Sequence, residues 1–275
     1  MEYLVAGIDG TGSREWRARD GSNSHVFKFV RDLRHTRGRA HYWHGPDSAI
    51  PHVAGVEIQR IVPAVIRWIV GTMLPMAPRC PDGVDPARMA TSCVPLTESD
   101  YRRVAELYLQ TMVDNVKVCI VGHSRGGLVA VMVADRLRRY GIPVYFMGLY
   151  DAVDRASCSI GCDASVITNT AHVYHARRDP RMESRGSFGN DAVMPAGTSW
   201  YHEQFFMTSH GGIGGSPEFH PSGLTDDYSC SVDGLAADIQ RALGADPYEV
   251  CRDGSEEADR WMRSSGRSHG LSFRR

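Results

Sequence analysis

Residues 116–141, VKVCIVGHSRGGLVAVMVADRLRRYG, decide the fold. Val116, Val118, Cys119, Ile120 and Val121 form an apolar, mostly β-branched run, which predicts a strand buried on both faces. The run leads directly into Gly122-His123-Ser124-Arg125-Gly126-Gly127. Leu128, Val129, Val131, Met132 and Leu137 then recur with a helical period, with Asp135, Arg136, Arg138 and Arg139 on the other side; Gly141 and Pro143 end the helix. Strand, G-x-S-x-G and helix in that order read as a nucleophile elbow. So sharp a turn strains the backbone of Ser124, and side chains two residues to either side would strike the neighbouring strand and helix. The helix N-terminus also directs free N–H groups at the point where an oxyanion would form.

A phosphate-binding loop is the rival reading of the glycines, but no Lys-Ser/Thr follows them, which excludes a Walker-type loop. The chain of 275 residues has a net charge of −1, so no nucleic-acid partner is expected. Its basic residues are scattered; the clusters at Arg31–Arg39 and Arg177–Arg185 read as solvated surface. The opening MEYLVAGIDG has no basic segment followed by a long apolar core, so no Sec signal peptide is expected and the chain reads as cytoplasmic where it is made. No apolar run is long enough to span a bilayer. Of seven cysteines, Cys119 reads as a buried filler. Cys80, Cys93, Cys158, Cys162, Cys230 and Cys251 fall in loop-like places where local pairing is open. No cysteine or histidine spacing suits zinc, and neither metal nor cofactor is expected.

Around the elbow, Tyr3–Ile8 predicts a short buried strand ending in Asp9-Gly10-Thr11-Gly12. Backbone amides after an early strand complete an oxyanion hole together with the residue after the nucleophile, so Arg125 and one of Gly10 and Thr11 are the expected donors. The phosphate loop of the actin and sugar-kinase fold is the alternative there, but it needs one more residue between Asp and Gly-Thr. Further elements are expected as a helix over Val26–Leu33, a strand over Arg39–Trp43, and amphipathic helices over Val53–Met73 and Glu98–Val113. Strands are expected over Pro143–Tyr150, Val166–Ala176 and, last, His202–Met207, then helices near Asp233–Leu243 and Glu256–Ser264. The long loops 75–95 and 181–199 read as a lid and a flap, or as plain surface insertions. The pattern predicts one α/β domain over residues 1–275, with a mostly parallel central sheet and helices on both faces, of the α/β-hydrolase type.

A serine hydroxyl needs a base, and the base of an elbow serine follows later in the chain at the carboxyl edge of the same sheet. His210 fits: it follows the last expected strand and adjoins Gly211, Gly212, Gly214 and Gly215. His202, His220 and His175 are the reserves. For the acid, Asp151 and Asp179 each end a strand, and either suits an imidazole.

GIDGTG, GHSRGG, GLYDAV, HVYHARRDPR, FFMTSHGGIGG and RWMRSSGRSHGL occur in an order that resembles a bacterial and fungal α/β-hydrolase-like family. That family carries D-G-T, G-F-S-R-G-A, D-T-V and G-x-H-x-D-V-G-G-G, and includes phospholipase effectors of type VI secretion systems. The likeness runs over about residues 3 to 271. It implies Ser124 as nucleophile, Asp151 as acid and His210 as base, with a phospholipid or other carboxylic ester as substrate and peripheral contact with a membrane. It also implies an immunity protein and a secretion-spike protein as partners, and delivery into a target cell's periplasm. The chain departs from the family at His123, where Phe is usual, and at Gly212, where Asp is common. A soluble small-ester esterase, or a non-enzymatic binding module on the same fold, would share these motifs, and an amide or thioester substrate stays open. The side chain of Arg125 is expected to pair with Asp9 or another acid; a lipid phosphate is its other candidate partner.

Overall fold

The computed structural model describes residues 1–11, 24–34, 39–47, 51–73, 97–107, 115–153, 166–179, 182, 194–195, 200–216, 218–219, 229–230, 244 and 246–274. Six strands form one parallel sheet: β1 (Glu2–Ile8), β2 (Ala40–Trp43), β3 (Val116–His123), β4 (Val144–Tyr150), β6 (Thr170–Arg178) and β8 (Trp200–Phe206). Their spatial order is β2-β1-β3-β4-β6-β8. The two-residue strands β5 (Val166–Ile167) and β7 (Met194–Pro195) pair separately, as do β9 (Glu218–Phe219) and β10 (Ser229–Cys230).

The strands are apolar on both faces because both faces are covered. On one face Leu4, Ala6 and Ile8 of β1 and Val118 and Ile120 of β3 meet two helices, α2 (Pro51–Met73) and α4 (Arg125–Arg138). On the other, Val5, Cys119, Val121 and Phe146 meet α1 (His25–Arg31) and α6 (Pro247–Ser268). The remaining helices among the described residues are α3 (Glu98–Leu107), which precedes β3, and the single turn α5 (His210–Ile213). From β1 the chain crosses through α1 to β2 in one direction; from β3 it crosses through α4 to β4 in the other. Right-handed crossovers require those two helices to lie on opposite faces, as they do. The direction reverses between β1 and β3, so a crevice opens at the carboxyl ends of these two strands. Asp9 follows one of them and Ser124 the other.

Two expectations are corrected. The strand expected over Val166–Ala176 is broken at Thr168-Asn169, where Asn169 has φ 55° and its amide donates to Ala134 O and Ile142 O. β6 alone joins the main sheet. The strand ending at Phe206 is the last of that sheet but not of the chain, since β9 and β10 follow. The helix expected over Asp233–Leu243 and the loop 75–95 lie outside the described residues; of 181–199 only Met182, Met194 and Pro195 fall within them. No helix among the described residues is long and apolar enough to cross a membrane.

Candidate active site

Ser124 stands between β3 and α4 with φ 54° and ψ −127°. That conformation costs on the order of 1–3 kcal/mol for a residue with a side chain. Its surroundings hold it there. Ser124 N–H donates to Tyr150 O at 3.0 Å, and Ser124 O accepts from Gly127 N–H at 2.9 Å and Val153 N–H at 3.2 Å. Both flanking glycines are required by space. A Cβ on Gly122 would lie 2.4 Å from Gly126 O, and one on Gly126 would lie 2.2 Å from Ile8 O.

The loop after β8 brings His210 to the serine. Ser209 caps α5 by accepting from Gly212 N–H at 3.0 Å, and Ser255 of α6 donates to Gly212 O at 2.6 Å. Gly254 lets α6 approach closely, since a Cβ there would sit 2.4 Å from Met207 O. Ser124 Oγ–H donates to His210 Nε2 at 3.0 Å, and His210 Nδ1–H donates to Asp151 Oδ2 at 2.7 Å. All three residues are buried. Asp151 takes φ 43°, and its N–H extends the ladder to Ala176 O at 2.7 Å. The structure thus brings Asp151, not Asp179, to the imidazole; Asp179 sits past β6 with its N–H on Phe206 O at 2.8 Å.

Of the reserve histidines, His202 packs against Tyr174 and Trp261, and His220 lies outside the described residues. His175 supports the acid's loop. Ala152 N–H donates to its Nε2 at 3.1 Å, so Nδ1–H faces Tyr201 Oη at 3.2 Å, and Tyr201 in turn donates to Glu203 at 3.1 Å.

Sequence reasoning gave no role to His123 or Arg178, and both touch this site. Arg178 Nη1 donates to Asp151 Oδ2, the same oxygen that takes His210. The His123 ring packs 5.0 Å from that of His210, and its Nε2–H donates to His210 O at 3.2 Å. Gly10 and Gly214 make room for it, because a Cβ on either would come within 2.6 Å of the ring. Among the described residues no group hydrogen-bonds His123 Nδ1, which stands 3.8 Å from Asp9 Oδ1.

Around Asp9 the expected oxyanion loop is arranged differently in detail. A Cβ on Gly10 would be 3.1 Å from Ser124 Cβ, so the backbone does approach the serine. Gly10 N–H, however, donates to Asp9 Oδ1 at 2.8 Å and is turned from the role expected of it. Arg125 does not pair with Asp9, whose carboxylate takes Ser24 and Tyr42 hydroxyls; Arg125 Nη1 donates to Thr11 Oγ1 at 3.2 Å.

Charges in the site follow from burial and partners. Burial would raise the Asp151 carboxyl, but the His210 hydrogen bond, with the electrostatic pull of His210, Arg178 and His175, holds it well below the usual range. Burial would likewise raise Asp9, and the His123 imidazole with the Ser24 and Tyr42 hydroxyls outweighs it. His210 is pushed down by burial against the pull of Asp151, with His123 and Arg178 adding to the downward push.

His25, at the start of α1, ties that helix to the same loop through Ile213 O at 3.0 Å. Burial pushes it down to about 4. A histidine whose folded pKa lies below its unfolded value contributes fully above about 6.5, and the contribution is lost as pH falls toward 4. At pH 5 the loss is expected to be about 2 kcal/mol. Urea unfolding at pH 7.5 and pH 5 reads it: His25→Gln should show a smaller drop in stability than wild type, and equal drops would reject the linkage.

No protein-family model matches the chain, and no curated protein does. Among solved structures, an uncharacterized protein from Pseudomonas aeruginosa superposes with a TM-score of 0.46 at 14% identity, over 78% of this chain and 42% of that one. The chain therefore spans about two fifths of the length of that protein. A likeness at this level bears on neither activity nor substrate.

Among the described residues, no group of three or more His, Cys, Asp or Glu side chains is placed to hold a metal ion. Cys119 is a free, buried thiol, and Cys251 of α6 is disulfide-bonded.

Proposed function

We propose that the chain is a serine hydrolase that cleaves carboxylic esters of lipids by acyl transfer, a phospholipase A-type effector. One observation carries the chemistry: the hydrogen-bonded line Ser124 Oγ, His210, Asp151 on a strained serine at a helix N-terminus. As Ser124 Oγ bonds to the ester carbonyl carbon, its proton passes to His210 Nε2. Asp151 holds the imidazole with Nδ1 protonated and steadies the imidazolium. The oxyanion meets the Arg125 N–H in the first turn of α4, with Thr11 N–H as the second donor now that Gly10 is engaged by Asp9. Collapse expels the alcohol, which takes the proton from His210. Water, deprotonated by His210, then attacks the acyl-enzyme and releases the fatty acid.

The lipid substrate, the periplasm of a target cell as site of action, and the immunity and secretion-spike partners rest on the family resemblance. The test is labelling by a fluorophosphonate probe together with hydrolysis of mixed phospholipid vesicles and of short soluble esters, with products identified by mass spectrometry. Lysolipid and fatty acid in equal amounts are the expected products, and the lysolipid isomer assigns the bond cut. Turnover of short esters alone would transfer the reading to a soluble esterase. No labelling and no turnover would leave a fold without this activity.

A further inference from the structure

Asp151 Oδ2 accepts from two cations or would-be cations at once. His210 Nδ1–H reaches it at 2.7 Å, and Arg178 Nη1 lies on the same oxygen. The carboxylate and imidazole are each 2% exposed and the Arg178 side chain 10%, so none of the three charges is well solvated. We propose that Arg178 is a positioning residue that shares the Asp151 carboxylate with His210 and reserves the imidazolium for the step in which an oxyanion is present.

Counting charge shows why. With a carboxylate alone beside it, a neutral His210 would leave the buried site at −1, and a proton on the ring would bring it to zero. Resting protonation would then be favoured, and a protonated base cannot accept the serine proton. A guanidinium cannot discard its charge. With Arg178 present the resting site is already neutral, and a proton on His210 alone makes it +1 in a poorly solvated place. When that proton comes from Ser124, an oxyanion forms at the same moment and the sum returns to zero. Arg178 thus separates protonation from solvent, which it opposes, from protonation by the nucleophile, which it allows.

Other groups facing the imidazole act in the same direction or on the acid. His123, from the end of β3, packs on the ring and bonds its carbonyl, with Asp9 behind it. His175, from β6, holds the loop of Asp151 through Ala152 N–H. His210 is shifted below an ordinary histidine by burial first, with His123 and Arg178 contributing. The consequence is a base that stays competent into mildly acidic solution.

The charge arrangement stands by itself, and only its effect on rate rests on the acyl-transfer reading; the test separates them. In Ser124→Ala protein, which removes turnover, the imidazole carbon signal of His210 is titrated by NMR. Its midpoint is expected below the ordinary histidine value of about 6.5. Adding Arg178→Gln should raise the midpoint by about one pH unit, whereas Arg178→Lys, which keeps the charge, should leave it within a few tenths. A midpoint at or above the ordinary value with Arg178 in place overturns the proposal, even if Arg178→Gln fails to fold. An unmoved midpoint in folded Arg178→Gln overturns it as well, since a merely structural arginine would lower stability without moving the titration. With Ser124 intact, the acid limb of kcat/KM for ester hydrolysis should shift by the same amount. A shifted titration without any ester hydrolysis would keep the charge assignment and reject the acyl-transfer reading.

Discussion

Ser124→Ala and His210→Ala are each expected to lower kcat for ester hydrolysis by roughly 10⁵–10⁶-fold, and the double substitution no further than either alone. The two side chains form one device. Ser124 Oγ lies 3.0 Å from His210 Nε2, and a serine hydroxyl without a base is a poor nucleophile, as an imidazole without the hydroxyl has nothing to activate. KM should change little, because neither group is needed to hold the acyl chain. Residual turnover should persist from the helix N-terminal amides and from binding. Single-turnover rates of the three variants read this directly. Additive losses in the double variant would mean that the two residues act independently, and the mechanism above would fall.

The pairing of Ser124 with His210 was legible in the chain for a local reason. The elbow is a contiguous pattern whose glycines are forced by contacts with its own helix and the adjacent strand, and His210 stands among glycines just past a strand. Position alone left the carboxylate beside the imidazole open, because Asp151 and Asp179 both follow strands of the same sheet; only the resemblance implied Asp151. Register decides it: Tyr150 pairs with Ala176, so Asp151 continues the ladder beside Arg178 and beneath His210, while Asp179 runs on toward β8. The layer structure could be read because runs apolar on both faces demand cover on both. The break at Asn169 could not, since the side-chain amide that fixes it bonds carbonyls of two other elements. His123 stands in the sequence only as an elbow residue where the resembled family has Phe. Its meaning depends on Gly10, Gly214, Asp9 and His210, which meet it only once the sheet edge is assembled. The signal available was its polarity: a histidine directly after an apolar run, next to the elbow serine, needs a partner once buried.

Asp151→Asn should lower kcat by about 10⁴-fold while leaving the fold intact. The backbone is not the obstacle, since Asp151 has φ 43° and asparagine accepts that region as readily as aspartate. One carboxylate oxygen serves two donors, Arg178 and His210, and the amide oxygen of asparagine can take its place toward both. What the amide lacks is the charge. Arg178 cannot lose its proton, so a proton on His210 would set two buried cations side by side with no carboxylate between them. The imidazolium that must form as the serine proton is transferred is then unsupported. The unfolding midpoint in urea should stay near wild type, and fluorophosphonate labelling of Ser124 should slow in step with ester hydrolysis. A loss of less than tenfold in folded Asp151→Asn would show that the carboxylate 2.7 Å from His210 does not stabilise the imidazolium, and would return the choice of acid to a group outside this pair.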